Sequence, residues 1–284
     1  LSALPQAYLA RGAGFYTYRQ NWTDPDATVF ALESGDVSQS HAALDANGLR
    51  IWKGSFWVSA DANIYSHSGI EQGTSNYDNM TVGDTGQNHG EGNHGTIVAT
   101  QVTDSLVVVR AQAKDAYGRS DKHRPVTYYL RTVAYLPQLD LFVIVDRATV
   151  ADAAQVKVWR WHMKEVPQVS GRNFVLQNPK GDARCFGGVL LPVNAVLGVQ
   201  SYALGSGPSG GASSHAVTVS TSGHATDVVV TTLQCAPGPS ERWAPVATAN
   251  ADGVIVTVGT RRVTVPNDDK QQVTLDVATV PRNP

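Results

Sequence analysis

Leu141-Phe142-Val143-Ile144-Val145 is apolar at every position. Successive side chains of a strand point to opposite faces, so a strand with one wet face alternates apolar and polar residues. A continuous apolar run describes a strand covered on both faces, and a chain that contains one must stack its sheets in layers. Thr127–Leu136 followed by Leu139–Val145 reads as a hairpin at the centre of such a stack.

The rest of the chain fits that picture. Thr28–Glu33 follows the turn-like Asp24-Pro25-Asp26. Leu49–Trp52 and Phe56–Ser59 flank Lys53-Gly54-Ser55, and Thr96–Val102 and Leu106–Gln112 flank Thr103-Asp104-Ser105, so both pairs predict hairpins. Val156–Trp161 alternates, with Trp159 and Trp161 on the face opposite Arg160. Beyond about residue 165 come shorter β-branched runs, Val217–Ser220, Val228–Leu233, Val254–Val258 and Val273–Val277, between Gly, Ser, Asn and Asp clusters. Gly205–Ser214 reads as a loop, and only the first dozen residues suit a helical turn or two. The expected fold class is all-β, a multi-stranded antiparallel β-sandwich of stacked sheets. Residues 1–165 are expected to form the main sheets with the site, and 166–284 the remaining strands or a C-terminal β subdomain.

Composition narrows the function. The net charge of -2 and charged fraction of 16% give no basic field of the kind a phosphate backbone requires, so nucleic acid is not an expected partner. No apolar run approaches the roughly 20 residues that span a bilayer, so no membrane is expected. The chain starts at Leu1 rather than Met, which reads as a processed or excised piece of a longer product. Cys185 and Cys235 either pair, in an oxidising compartment, or are two small buried apolar residues. They have no CxxC spacing for a thiolate metal site.

The polar residues with chemistry fall in order between residues 12 and 147. They run from Gly14-Phe15-Tyr16-Thr17-Tyr18-Arg19 through Trp22-Thr23-Asp24-Pro25-Asp26-Ala27-Thr28 to Ser40-His41-Ala42-Ala43-Leu44-Asp45-Ala46. The segment Trp52 to Asp61, then Tyr77-Asp78-Asn79-Met80-Thr81-Val82, then Arg131-Thr132-Val133 and Val145-Asp146-Arg147 complete them. In order and spacing this resembles the C-terminal β-sandwich of the heparinase II/III-like polysaccharide lyases. The likeness covers about residues 12–150, and more faintly 156–200.

The resemblance implies β-elimination on uronic-acid polymers, in a periplasmic or secreted protein. The proton alpha to the uronate carboxylate is removed and the bond to the 4-oxygen breaks. That requires a neutralised carboxylate, a base at the carbon proton and an acid at the leaving oxygen. The position of the family's catalytic sandwich histidine is His41 here, an imidazole that titrates near neutral pH. The family's catalytic Tyr and neutralising Asn come from an α/α toroid, for which this chain has no helical region. The implied partners are therefore an acidic polysaccharide or oligosaccharide and an α-helical toroid domain or chain, and the chain alone is expected to be an incomplete enzyme.

The sequence also departs from the pattern. The family's structural zinc is held by the second His of the box, a downstream Asp and a later His, positions that read here as Ala43, Asp61 and Asp78. Without an imidazole this set does not suit zinc, and Asp61 with Asp78 would suit only a harder ion, so no cofactor is expected. Substrate contacts are expected from loops at one end of the sandwich: Trp22, Tyr65, His67, His89 and His94. Trp22 and Tyr16 are the aromatic side chains expected to be exposed, whereas Trp52, Trp57, Trp159 and Trp161 are expected in the core. Arg131 and Arg147 are each expected to pair with a carboxylate such as Asp146 or Asp45. The alternative reading is a non-catalytic carbohydrate-binding or scaffold sandwich, which Ala43 and Asp78 favour while His41 and Asp61 favour the lyase. No Gly-x-Ser-x-Gly elbow supports a triad hydrolase.

Overall fold

The structure, a computed structural model, describes residues 3–39, 42–54, 56–59, 73–118, 124–177, 183–203, 213–237 and 243–277. Strands β1 (Ala7–Ala10), β2 (Phe15–Arg19), β3 (Val29–Glu33), β4 (Gly48–Lys53) and β5 (Phe56–Ser59) form a first antiparallel sheet in sequence order. β6 (Met80–Val82) leaves it for another sheet. β7 (Thr96–Val102), β8 (Val107–Gln112), β9 (Val126–Leu136) and β10 (Leu141–Val150) are successive neighbours in an eight-stranded central sheet. β11 (Lys157–Met163) pairs with β6. β12 (Gln168–Ser170), β13 (Asn173–Gln177) and β14 (Ala183–Leu191) return to the central sheet. β15 (Val196–Ala203) and β16 (Ser213–Thr221) join β11 and β6 in a four-stranded sheet. β17 (Thr226–Pro237) inserts between β14 and β10, and β18 (Val246–Ala249), β19 (Gly253–Val258), β20 (Arg261–Pro266) and β21 (Thr274–Val277) close with a four-stranded sheet of their own.

The layering follows from the period-2 alternation of the central strands. Phe142 and Ile144 face one way, with Val107, Val109, Val133 and Tyr135, into a core shared with the first sheet and with Trp161 and Val217. Leu141, Val143 and Val145 face the other way, with Val108 and Ala134, against Val254, Val256, Val263 and Val265 of the C-terminal sheet. This is why no position from Leu141 to Val145 needs to be polar: all five are buried. Further along the first face, Tyr129, Ala148 and Val229 pack on Trp159, Val219 and Met80.

The predicted hairpins form, and Trp159 and Trp161 are buried opposite Arg160. Cys185 and Cys235, direct partners across β14 and β17, form a disulfide. Three expectations are corrected. The N-terminal segment is not helical: Ala7–Ala10 pair with Tyr18–Phe15, and a hairpin partner satisfies backbone groups that a short isolated helix leaves in water. Tyr16 is not exposed but 1% accessible, because it and Tyr18 fall on the inward face of β2. Arg147 has no carboxylate partner among the described residues. Its neighbour Asp146 points to the opposite face, and the Arg147 Nη2 donates to the Val265 carbonyl at 2.9 Å. Trp52 is half-buried, and the Trp57 side chain and the segment 205–212 lie outside the described residues.

Candidate functional site

His41, Asp61, Tyr65 and His67 lie outside the described residues; the frame that holds their loops is described. The β3–β4 connection, which carries His41, is fixed on both sides. On the incoming side the Val37 N–H donates to the Asn93 carbonyl at 3.1 Å, and Gly95 N–H donates to the Gly35 carbonyl at 2.7 Å. On the outgoing side, Gln87 brackets Ala46: the Ala46 N–H donates to Gln87 Oε1 at 2.9 Å, and Gln87 Nε2 donates back to the Ala46 carbonyl at 2.8 Å. Asn79 Nδ2 donates to the same carbonyl at 2.7 Å. Asn47, at φ 73°, turns the chain into β4, a left-handed conformation that Asn tolerates better than most residues. Its side-chain oxygen accepts from Ser34 Oγ at 2.9 Å.

Beneath these loops lies a fully buried polar network. Arg131 forms a forked pair with Asp146 and gives its remaining Nη1 donors to the main-chain oxygens of Asn47, at 2.7 Å, and Asp78, at 2.6 Å. Its guanidinium lies over the Trp161 ring, 4.8 Å from the centroid. Burial alone would lower the arginine's pKa; the Asp146 carboxylate reverses this and holds it charged.

The Asp78 carboxylate is also engaged. It accepts from the Ser59 hydroxyl and from the His162 backbone N–H. A carboxylate committed to two donors has less capacity left for a cation. No group of three or more His, Cys, Asp or Glu side chains is arranged to hold a metal among the described residues. Asp45, which the sequence offered as a partner for Arg131 or Arg147, pairs instead with Arg50 at 2.6 Å.

His89 and His94 are both exposed on the loop from Gln87 to Gly95. His89 Nδ1 lies 3.0 Å from the Val37 carbonyl and so ties this loop to the His41 loop. His94 bridges Asp36 in antiparallel fashion. Hydrogen bonds from Ser38, side chain then backbone, lower the Asp36 pKa, and His94 acts in the same direction. His94 and Asp36 border a groove of about 350 Å³ with Arg11, Leu9 and Ile97. Its floor is backbone: a Cβ at Gly14 (φ 64°) would meet the Ser34 carbonyl at 2.2 Å.

Trp22 is elsewhere. It follows β2, whereas the groove lies at the Gly14 end of the same strand, on the order of 15 Å away. It is 36% exposed, its indole N–H donates to the Pro5 carbonyl at 3.1 Å, and Arg19 lies over its ring. The structure thus brings together the bases of the loops carrying His41, Asp78, His89 and His94, and leaves Trp22 apart.

No local pattern foretells that Arg131 reaches Asn47 and Asp78. A pattern does exist for the neighbours of Trp161. In Trp159-Arg160-Trp161-His162 the alternation that buries the indoles puts Arg160 and His162 together on the opposite face.

The fold is a layered antiparallel β-sandwich built of four sheets. No family model and no curated protein matches the sequence. Among solved structures, the chain superposes on heparan sulfate lyase HepC from Pedobacter heparinus with a TM-score of 0.76 and 16% identity, covering 94% of this chain and 44% of that one. A heparinase III gene product gives 0.75 with 15% identity, covering 97% and 43%. A further heparinase III gives 0.70 with 13% identity, covering 95% and 42%. The chain therefore has the fold of under half the length of these proteins, consistent with the C-terminal β-sandwich portion that the sequence resembles. No described helix is long and apolar enough to cross a membrane.

Proposed function

We propose that this chain is the β-sandwich part of a polysaccharide lyase. It acts by β-elimination on a uronic-acid-containing polysaccharide, outside the cytoplasm, and needs an α-helical toroid from a further domain or a partner chain. The observation that carries this reading is the likeness in fold to structures named as heparan sulfate lyase and heparinase III, over nearly the whole chain. The ordered residues from Gly14 to Arg147 support it, as does the framed loop that carries His41.

In this reading His41 acts at the uronate, as the base that takes the proton alpha to the carboxylate or as a donor that faces the carboxylate. The electron pair of the broken C–H bond forms the new double bond, and the 4-oxygen leaves with a proton from an acid. His89 and His94, with Arg11, line the approach for an anionic chain. Tyr65, His67 and Trp22 are proposed as further sugar contacts.

One observation favours a second reading, a non-catalytic carbohydrate-binding or scaffold sandwich. Ala43 supplies no imidazole, and Asp78 is consumed by Ser59 and the His162 backbone. Assay of uronate polymers for the ultraviolet absorbance of the unsaturated product separates the two. The assay uses this chain alone and with a helical partner. Product that disappears in His41→Ala is expected. Sugar binding with no product in either condition would establish the second reading instead.

A further inference from the structure

The face of β11 opposite Trp159 and Trp161 carries the half-buried Arg160 and the fully buried His162. Beside them opens a polar groove of about 340 Å³, lined by Thr74, Ser75, Thr81, Gln87, Asp84 and Arg160. It is separate from the groove at His94. The Arg160 Nη1 donates to Thr81 Oγ1 at 2.8 Å and weakly to the Val158 carbonyl at 3.4 Å, while its Nε is buried without a hydrogen bond. Arg50, Arg124, Arg131, Lys53 and Lys157 all pair with carboxylates, but Arg160 makes no ion pair among the described residues. The groove's carboxylate, Asp84, is exposed at the rim, where solvent screens it.

The surroundings are preorganised. His162 Nε2 is fixed 2.9 Å from the Ser75 carbonyl, which pins the wall that Ser75 and Thr74 form. The Tyr202 ring lies 4.9 Å from the His162 ring, its buried hydroxyl lies beside the Arg160 guanidinium, and His162 Nδ1 is buried without a partner. A Cβ at Gly86 would meet Thr74 Oγ1 at 2.5 Å, so the groove narrows if that glycine is replaced. A guanidinium with no carboxylate partner, lining a groove with the hydroxyl-bearing Ser75 and Thr81, has the chemistry to take a planar or tetrahedral oxyanion.

We propose that this groove is an anion subsite, in which Arg160 takes the carboxylate or sulfate ester of an acidic sugar. The choice of a sugar as carrier rests on the proposed function. The anion-binding chemistry rests on Arg160 and the groove.

The full chain is titrated calorimetrically with an unsulfated oligouronate, a sulfated oligosaccharide, a neutral oligosaccharide and inorganic sulfate. The same titrations are followed by NMR at the Arg160 Nε–H resonance. Arg160→Gln, which retains a donor for Thr81, is expected to weaken binding of the preferred acidic oligosaccharide on the order of tenfold and to leave the neutral one unchanged. Arg160→Lys is expected to fall between, because it restores charge without the fork. A larger loss for the unsulfated ligand identifies a carboxylate, and for the sulfated ligand a sulfate ester.

Unchanged acidic-ligand affinity in Arg160→Gln with a native circular dichroism spectrum overturns the proposal. So does an Arg160 Nε–H resonance that moves with inorganic sulfate but with neither acidic oligosaccharide. The lyase reading fails separately. A chain that binds through Arg160 yet forms no unsaturated product even with a helical partner refutes that reading alone, and product with Arg160-independent binding refutes only this subsite.

Discussion

Arg131 and Asp146 stand opposite each other in the β9–β10 register and join through two hydrogen bonds, Nε to Oδ1 at 2.7 Å and Nη2 to Oδ2 at 3.1 Å. Val133 and Ile144 on one side belong to the core under the first sheet. Tyr129 and Ala148 on the other belong to the core under the β6–β11–β16–β15 sheet. The pair therefore marks the boundary between two apolar cores, and its spare donors hold the main chain at Asn47 and Asp78, where the connections leading into β4 and β6 end.

Removing one partner leaves a buried, uncompensated charge. Asp146→Ala is expected to cost about 3–5 kcal/mol of unfolding free energy. The paired change Arg131→Met with Asp146→Leu should cost less than Asp146→Ala alone, because it buries no orphan charge. Urea denaturation measures both. A cost under about 1 kcal/mol for Asp146→Ala would show that the pair does not anchor the loops.

His162 makes the fold acid-sensitive. Burial, above all, lowers its pKa from 6.5 to about 4, partly opposed by its hydrogen bond to Ser75 and aided by the Arg160 charge. The folded state therefore binds this proton less readily than the unfolded state does. The stability linked to it is complete above pH 6.5 and is lost as pH falls from 6.5 towards 4. The loss amounts to about 3 kcal/mol. His162→Gln should flatten the pH dependence of the melting temperature in that window, and an equal slope in both proteins would contradict it.

The Cys185–Cys235 disulfide closes a segment of 50 residues across β14 and β17. By loop-closure entropy its reduction should cost about 4 kcal/mol. Denaturation midpoints with and without reductant test this. An unchanged midpoint after verified reduction would mean that β14–β17 pairing suffices.

Gly95 admits no side chain. A Cβ there would meet Ser34 Oγ at 2.1 Å and the Ala46 Cβ at 3.0 Å, and Ser34 Oγ is already bonded to Asn47. Gly95→Ala should cost about 1–3 kcal/mol and speed hydrogen exchange at the Gly95 and Val37 amides. Native exchange at both amides would show that the loop bases tolerate the wedge.

Much of this architecture was legible locally. The unbroken run Leu141–Val145 required layers on both faces, the turn clusters required hairpins, and the Trp159–Trp161 alternation set which face of β11 is core. Local pattern encodes the period of a strand because side-chain direction depends only on the neighbouring backbone. It does not encode which layer covers which face. Asp146 and Arg147 are adjacent and equally polar in sequence, yet one meets Arg131 in the inner core and the other meets the Val265 carbonyl beneath the C-terminal sheet. The Cys185–Cys235 bond and the reach of Arg131 to Asn47 and Asp78 were likewise settled by pairings between distant segments, whereas the strand at Ala7–Ala10 is settled by its hairpin with Phe15–Tyr18. The long-range contacts exist only once distant strands have come together, so the composition of no single segment specifies them.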